Sequence, residues 1–216
     1  MPRPHLLDLG CGSGELARRL APDVEAITAI DQSPGMIAAA RSLPGGDAAN
    51  ISWIAGRVED VALHGPFACA LACESFHWFD WPAVVPRLAA AVPSGRLILI
   101  DRRELGPPWA DDLKALIARH STNQEFERYD VVDELTSRHH FVSEGRLLHR
   151  RQVVSQSIAD YVTSLHSRNG LSRDRMPPDS ARGFDDAVRA MAAPHAIDGL
   201  LQVPVETRVV WGRVTP

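Results

Sequence analysis

Leu6-Leu7-Asp8-Leu9-Gly10-Cys11-Gly12-Ser13-Gly14-Glu15-Leu16-Ala17 decides how this chain is read. An apolar run ends in an acid and alternating glycines, and a helix-like pattern begins at once. That order predicts a strand, a tight turn and a helix N-terminus, the geometry with which α/β proteins bring backbone close to a nucleotide. A turn this sharp needs positive φ, and a ligand pressed on backbone leaves no room for Cβ. Asp8 stands two residues before the first glycine, where its carboxylate can accept hydrogen bonds from a cationic or polar ligand group. A site built for pyrophosphate would not place that charge there.

The dinucleotide fingerprint is G-x-G-x-x-G/A with an acid about 20 residues further on. Starting at Gly10 it fails, because position 15 is Glu; starting at Gly12 it fits only through Gly14 and Ala17. A second β-prone run, Ala26–Ile30, ends in Asp31. An acid there sits beside the first glycine loop and can accept both ribose hydroxyls, in NAD and S-adenosylmethionine (SAM) sites alike. Asp8 and the G-x-G-x-G spacing favour SAM.

Asp8-Leu-Gly-Cys-Gly-Ser-Gly14, followed by Asp31-Gln-Ser-Pro-Gly-Met36, resembles the class I SAM-dependent methyltransferases, in their small-molecule group. Ile51–Asp60 is similar to the third-strand motif, whose following loop lies against the adenine. Phe67–Asp80 is similar to the fourth strand and its loop, including the His-Trp-Phe-Asp string of a trans-aconitate methyltransferase-like (type 11) subgroup. Leu88–Ile100 matches a helix, turn and fifth strand. The resemblance covers residues 5–101 closely and the rest loosely. It implies a Rossmann-like α/β fold: a seven-stranded, mostly parallel sheet, helices on both faces and an antiparallel last strand paired in a hairpin with its neighbour. It also implies SAM as cofactor, S-adenosylhomocysteine (SAH) as product and a small-molecule acceptor, with methyl transfer to oxygen.

At 216 residues, one domain is expected, with residues 1–101 as the SAM-binding half and 102–216 as the substrate-side half. A net charge of −4 gives no basic surface of the kind nucleic-acid binding needs. No signal peptide or apolar run of membrane-spanning length stands in the sequence, so a cytoplasmic protein without a membrane partner is expected. Cys69 and Cys73 lie four apart in a strand pattern, not at C-x-x-C spacing, and read with Cys11 as buried free thiols. The histidines show no metal-ligand spacing, and no metal is expected. Oligomeric state is not legible.

Apolar strands near 5–9, 26–30, 51–55, 67–73 and 96–101 alternate with helical patterns near 14–20, 34–42 and 81–92, which implies βαβ units. Asp80 is placed as an N-cap and Pro82 in the first turn. Further on, 109–120, 131–139, 157–167 and 179–191 read as helices, and 146–155 and 205–214 as strands. Leu171–Pro178 reads as a mobile loop. Two features depart from the resemblance. The first strand follows almost directly on Met1-Pro2-Arg3-Pro4, where relatives carry a covering helix, and Arg57 stands where an acid often meets the adenine amino group.

The candidate cofactor set is therefore Asp8, Gly10, Cys11, Gly12, Gly14 and Asp31, joined through the resemblance by Gln32, Met36, Val58 and Glu59 (or Asp60). Cys73 and Glu74 end the fourth strand, at the sheet edge where α/β ligands bind. Cys73 is assigned to the cofactor and Glu74 to the substrate. Phe76-His77-Trp78-Phe79 either covers the end of the sheet or walls a pocket around a sulfonium, where aromatic faces favour a cation; Trp78 is assigned to the substrate. His77 could take a proton from an acceptor hydroxyl or carboxyl, or simply pack. Trp109, His166, Ser167 and Arg168 fall in the divergent half; of these Arg168 could hold a substrate carboxylate or be an exposed charge. A SAM-binding protein without catalysis and a nicotinamide-dependent oxidoreductase are the competing functions.

Overall fold

The computed structural model describes residues 3–123, 129–168, 170–173 and 175–215. It divides into two compact units: residues 1–101, 129–148 and 208–216 form the first, and 102–128 with 149–207 the second.

The first unit is built around β1 (His5–Leu9), β2 (Ala26–Asp31), β3 (Ile51–Ala55) and β4 (Cys69–Cys73), with β5 (Arg96–Glu104) beginning in it. These strands pair in parallel, β1 lying between β2 and β4. Parallel neighbours bury a strand on both faces, and β1 shows it. Leu7 and Leu9 join a cluster with Val84, Val85 and Leu88 of α3 (Trp81–Ala91), whereas Leu6 joins Ala17 of α1 (Glu15–Leu20) on the opposite face. Asp8, on the face of Leu6, is thereby carried into the interior at 1% exposure. Ser33 caps α2 (Pro34–Ser42), its hydroxyl accepting from the Met36 N–H, with Pro34 in the first turn. Asp80 stands at the N-cap of α3 but its side chain makes no cap bond.

The sheet order is β3-β2-β1-β4-β5-β7-β6, with β6 spanning Phe141–Ser157 and β7 Leu200–Val214. Val214 bonds Gly95 and Leu105 bonds Pro204, so β7 runs antiparallel to β5. Strands β6 and β7 are neighbours, as expected, but no hairpin turn joins them: α6 (Ile158–Leu165) and α7 (Pro178–Ala192) intervene.

The second unit has its own core. Trp109 and Leu113, the latter from α4 (Ala110–His120), pack with Tyr161, Val162, Leu165, Phe184 and Val188 from α6 and α7 and with Leu201 and Val203 of β7. The segment read as a mobile loop is pinned: Leu171 and Met176 are buried, the Leu171 carbonyl lies 2.5 Å from His166 Nδ1, and Arg173 pairs with Asp185 at 2.7 Å. Asp174, within that segment, lies outside the described residues, as do Met1 and Pro2. Among the described residues no helix is long and apolar enough to cross a membrane.

Candidate cofactor and acceptor site

The glycine loop joins β1 to α1, and Asp31 ends the neighbouring strand. Asp31 Oδ2 accepts from the Gly12 N–H at 2.8 Å and Oδ1 from the Ser33 N–H at 2.9 Å. One carboxylate thus fixes the glycine loop and the entry to α2 together. The three glycines have different reasons. A Cβ on Gly14 would collide with the Trp53 ring, and one on Gly10 would come within 2.5 Å of Ser75 Cβ. Gly12, at φ +55°, has open space where its Cβ would stand. Gly12 is therefore the position where a ligand can approach backbone.

Asp8 lies behind that loop. Its Oδ2 is buried without a hydrogen-bond partner among the described residues. Burial first, then the Asp31 charge, raises its carboxyl to about 7, against the pull of a backbone hydrogen bond from Ala17. The same burial, with Asp8 and Asp31 beside it, pushes the Cys11 thiol well up, so Cys11 is no nucleophile. An orphaned buried carboxyl oxygen lacks a donor, and an ammonium would supply one. An open glycine face and a carboxylate at the end of β2 stand with it. These features fit SAM: Asp8 would hold its ammonium and Asp31 its ribose.

The remaining candidates divide. Gln32 and Met36 are exposed at the start of α2, Met36 at 47%, unusual for so apolar a side chain. Val58 is buried in the first core. Glu59 is turned toward α3, accepting from the Asp80 N–H at 3.0 Å, and Arg57 Nε stands 3.6 Å from both Glu59 and Asp60. Cys73, expected to be buried, is exposed, and Cys11 and Cys69 are half-buried, because β4 ends at Cys73 and the chain turns out of the sheet. That turn places Glu74 at φ +55°, a conformation costing a non-glycine residue about 1–3 kcal/mol and often kept at functional sites.

Glu74, Ser75, Phe76 and His77 line a cavity of about 70 Å³ with Ala72, Leu99, Ile100 and Asp101, closed by Val131 and Val132 of α5 (Val131–Ser137). Ser75 connects the cavity to the glycine loop: its hydroxyl donates to the Leu9 carbonyl at 2.5 Å, and it packs against Gly10. Burial lowers the pKa of His77, which keeps the ring neutral at pH 7. Trp78, 38% exposed, lies against it with centroids 5.0 Å apart.

Ser75 and Asp101 were not singled out from the sequence, and the helix read over 131–139 was not placed at the site. Ser75 sits inside the motif read for its aromatics, and nothing local reveals that β5 and α5 converge on it. Asp101 is held by Arg208 at 2.8 Å, and Arg208 also reaches Asp130, the N-cap of α5, at 2.7 Å. Arg168 belongs to the second unit, where it pairs with Glu104 at 2.5 Å. Glu104 accepts there from the Tyr161 hydroxyl, which in turn accepts from Trp109.

Comparison with known proteins bears on the family and the fold. Residues 6–103 match the family described as "Methyltransferase domain". An uncharacterised methyltransferase of Mycobacterium tuberculosis is 31% identical over 119 residues, 53% of this chain and 47% of that protein. The malonyl-[acyl-carrier protein] O-methyltransferase of Serratia marcescens is 32% identical over 118 residues, 50% and 44% respectively. The chain thus spans about half the length of the curated relatives it matches. A Bacillus halodurans protein solved as a candidate methyltransferase superposes with a TM-score of 0.58 at 17% identity, over 99% of this chain and 93% of that one. That likeness shows the fold. Motif, fold and relatives agree: residues 6–103 match a methyltransferase domain, and together they indicate a class I SAM-dependent methyltransferase.

Proposed function

We propose that this protein transfers a methyl group from SAM to an oxygen of a small molecule, leaving SAH. The observation that carries the reading is the buried, unpartnered Asp8 oxygen beside the open face of Gly12. When bound, SAM supplies a methyl already activated on a sulfonium. The protein's own task is then to orient the acceptor and exclude water; well-aligned intramolecular reactions gain roughly 7–11 kcal/mol in this way. In this reading Asp31 holds the ribose, and Cys73 and the 57–60 loop flank the cofactor. Glu74, Trp78 and the cavity behind them receive the acceptor. His77, kept neutral by burial, accepts the proton of an acceptor hydroxyl through the ring nitrogen that carries no proton. The O-methyltransferase named among the relatives supports oxygen as the target. The chain would act as one methyltransferase domain, with residues 1–101 as its SAM-binding half and 102–216, Arg168 among them, as its substrate-side half.

A cofactor-binding protein without catalysis is the second reading. One observation favours it: Arg57 lies within ion-pair reach of Glu59 and Asp60, the acids expected at the adenine. A nicotinamide site is disfavoured, because Asp8 would set a carboxylate close to a pyrophosphate.

Incubation with SAM and fractions of a small-molecule extract, followed by mass spectrometry, separates the two. The proposal expects stoichiometric SAH and a product heavier by one methylene. SAH that binds without any such product in any fraction would leave the non-catalytic reading. A His77→Gln variant is expected to lower turnover about 10²-fold or more with SAH affinity unchanged.

A further inference from the structure

Among the described residues, the Asp8 carboxyl is the one buried acid left with an unsatisfied oxygen. Its surroundings do not settle a negative charge. Asp31, at the end of β2, carries the same sign, and the Cys11 thiol in the glycine loop is a weak donor whose Sγ is turned to the Gly12 carbonyl at 3.7 Å. From α1, the Ala17 backbone contributes a single hydrogen bond. Asp31 itself is committed to Gly12 and Ser33 through both oxygens and stays in place to oppose a second charge. A carboxyl in such a place is held as the neutral acid. An ammonium brought against Oδ2 reverses the balance, because it offers both a donor and the opposite charge.

Resting on the SAM reading of this site, we propose that cofactor capture is a proton exchange at Asp8: the carboxyl gives up its proton as the ligand's ammonium takes its place. The O–H bond of Asp8 breaks, the proton leaves to the solvent buffer, and the carboxylate pairs with the ammonium. The neutral acid and the cationic ammonium become an ion pair of no net charge, and the one positive charge that the ligand brings is balanced by the proton that Asp8 releases. Affinity then depends on the ionised fraction of Asp8 in the free protein. With the free carboxyl raised to about 7, that fraction, and with it the affinity for SAH, grows about tenfold from pH 6 to pH 8. Selectivity follows too: a nucleoside without the amino-acid arm leaves Asp8 protonated and gains nothing from rising pH.

The test is calorimetric titration with SAH at pH 6 and pH 8, each in two buffers of different ionisation enthalpy, which counts protons released per ligand bound. The expected result is close to one proton at pH 6 and close to none at pH 8. 5′-Methylthioadenosine, which lacks the ammonium, should release none at either pH. Asp8→Asn should bind SAH weakly, with no proton release and little pH dependence. SAH binding without proton release at pH 6, or release that persists in Asp8→Asn, overturns the exchange and leaves the cofactor reading standing. Absence of SAH binding by the folded wild type at both pH values overturns the cofactor reading itself.

Discussion

Asp8 stabilises the site's chemistry at the expense of the ligand-free fold. Its folded carboxyl titrates near 7, above the ordinary carboxylate value, so the fold prefers the neutral acid. Stability contributed by that preference is complete below pH 4 and is lost as pH rises through 7. The ligand-free protein is therefore expected to lose on the order of 2–4 kcal/mol between pH 4 and pH 8 through this one group. Asp8→Asn should flatten that slope and melt higher than wild type at pH 8 while binding SAH only weakly; thermal melts across pH check it. A variant that melts lower at pH 8 would mean the carboxylate is satisfied after all. Gly12 gives a complementary case. Gly12→Val puts a side chain into open space at φ +55°, costing about 1–2 kcal/mol in stability, and is expected to abolish SAH binding in a protein that still folds. Retained binding in that variant would place the ligand elsewhere.

At the scale of elements, His166, Asp185 and Arg173 tie α6, α7 and the segment between them. His166 Nε2 lies 2.6 Å from Asp185 Oδ1, and Asp185 Oδ2 accepts from Arg173. Burial opposes the Asp185 charge, but the hydrogen bonds from His166 and Arg173 outweigh it and hold the carboxyl below its usual range. The stability this contributes is present above the ordinary carboxylate pKa and is lost as pH falls through the lowered one. Asp185→Ala leaves His166 and Arg173 without their buried acceptor and is expected to cost about 3–5 kcal/mol, read by loss of amide protection along α6 and α7. Most elements were legible because their signals are local. The run 5–9 and the glycines fix β1 and its turn, and Ser33-Pro34 marks the start of α2. What was not legible depends on distant partners. β5, β6 and β7 extend to Glu104, over Phe141–Ser157 and back to Leu200 because each finds a neighbour to pair with. The 171–178 segment is rich in loop formers, yet Leu171 and Met176 are drawn into a core. The candidate site divides the same way: Asp8, Gly12 and Asp31 were readable from spacing, whereas the left-handed Glu74 and the cavity shared by His77, Asp101 and α5 arise only when β4, β5 and α5 meet.

At the scale of the whole molecule, the described residues form two compact units, each built from segments that interleave along the chain. Two units predict two cooperative blocks of hydrogen exchange, one centred on β1 and β4 and one on α6 and α7. Uniform exchange through a single global opening would contradict this. A ligand on the glycine loop should stabilise the first block, by about 2.7 kcal/mol at a hundredfold excess over its Kd.

The protein's function turns on whether the glycine loop, Asp8 and Asp31 form a SAM site. Titration of the purified chain with SAH and with NAD⁺, alongside Asp31→Ala, tests it most directly. A SAM site there should give saturable SAH binding, its loss or at least tenfold weakening in Asp31→Ala, and no heat with NAD⁺. A folded wild-type chain that ignores SAH, or one that binds NAD⁺ in its place, would contradict it.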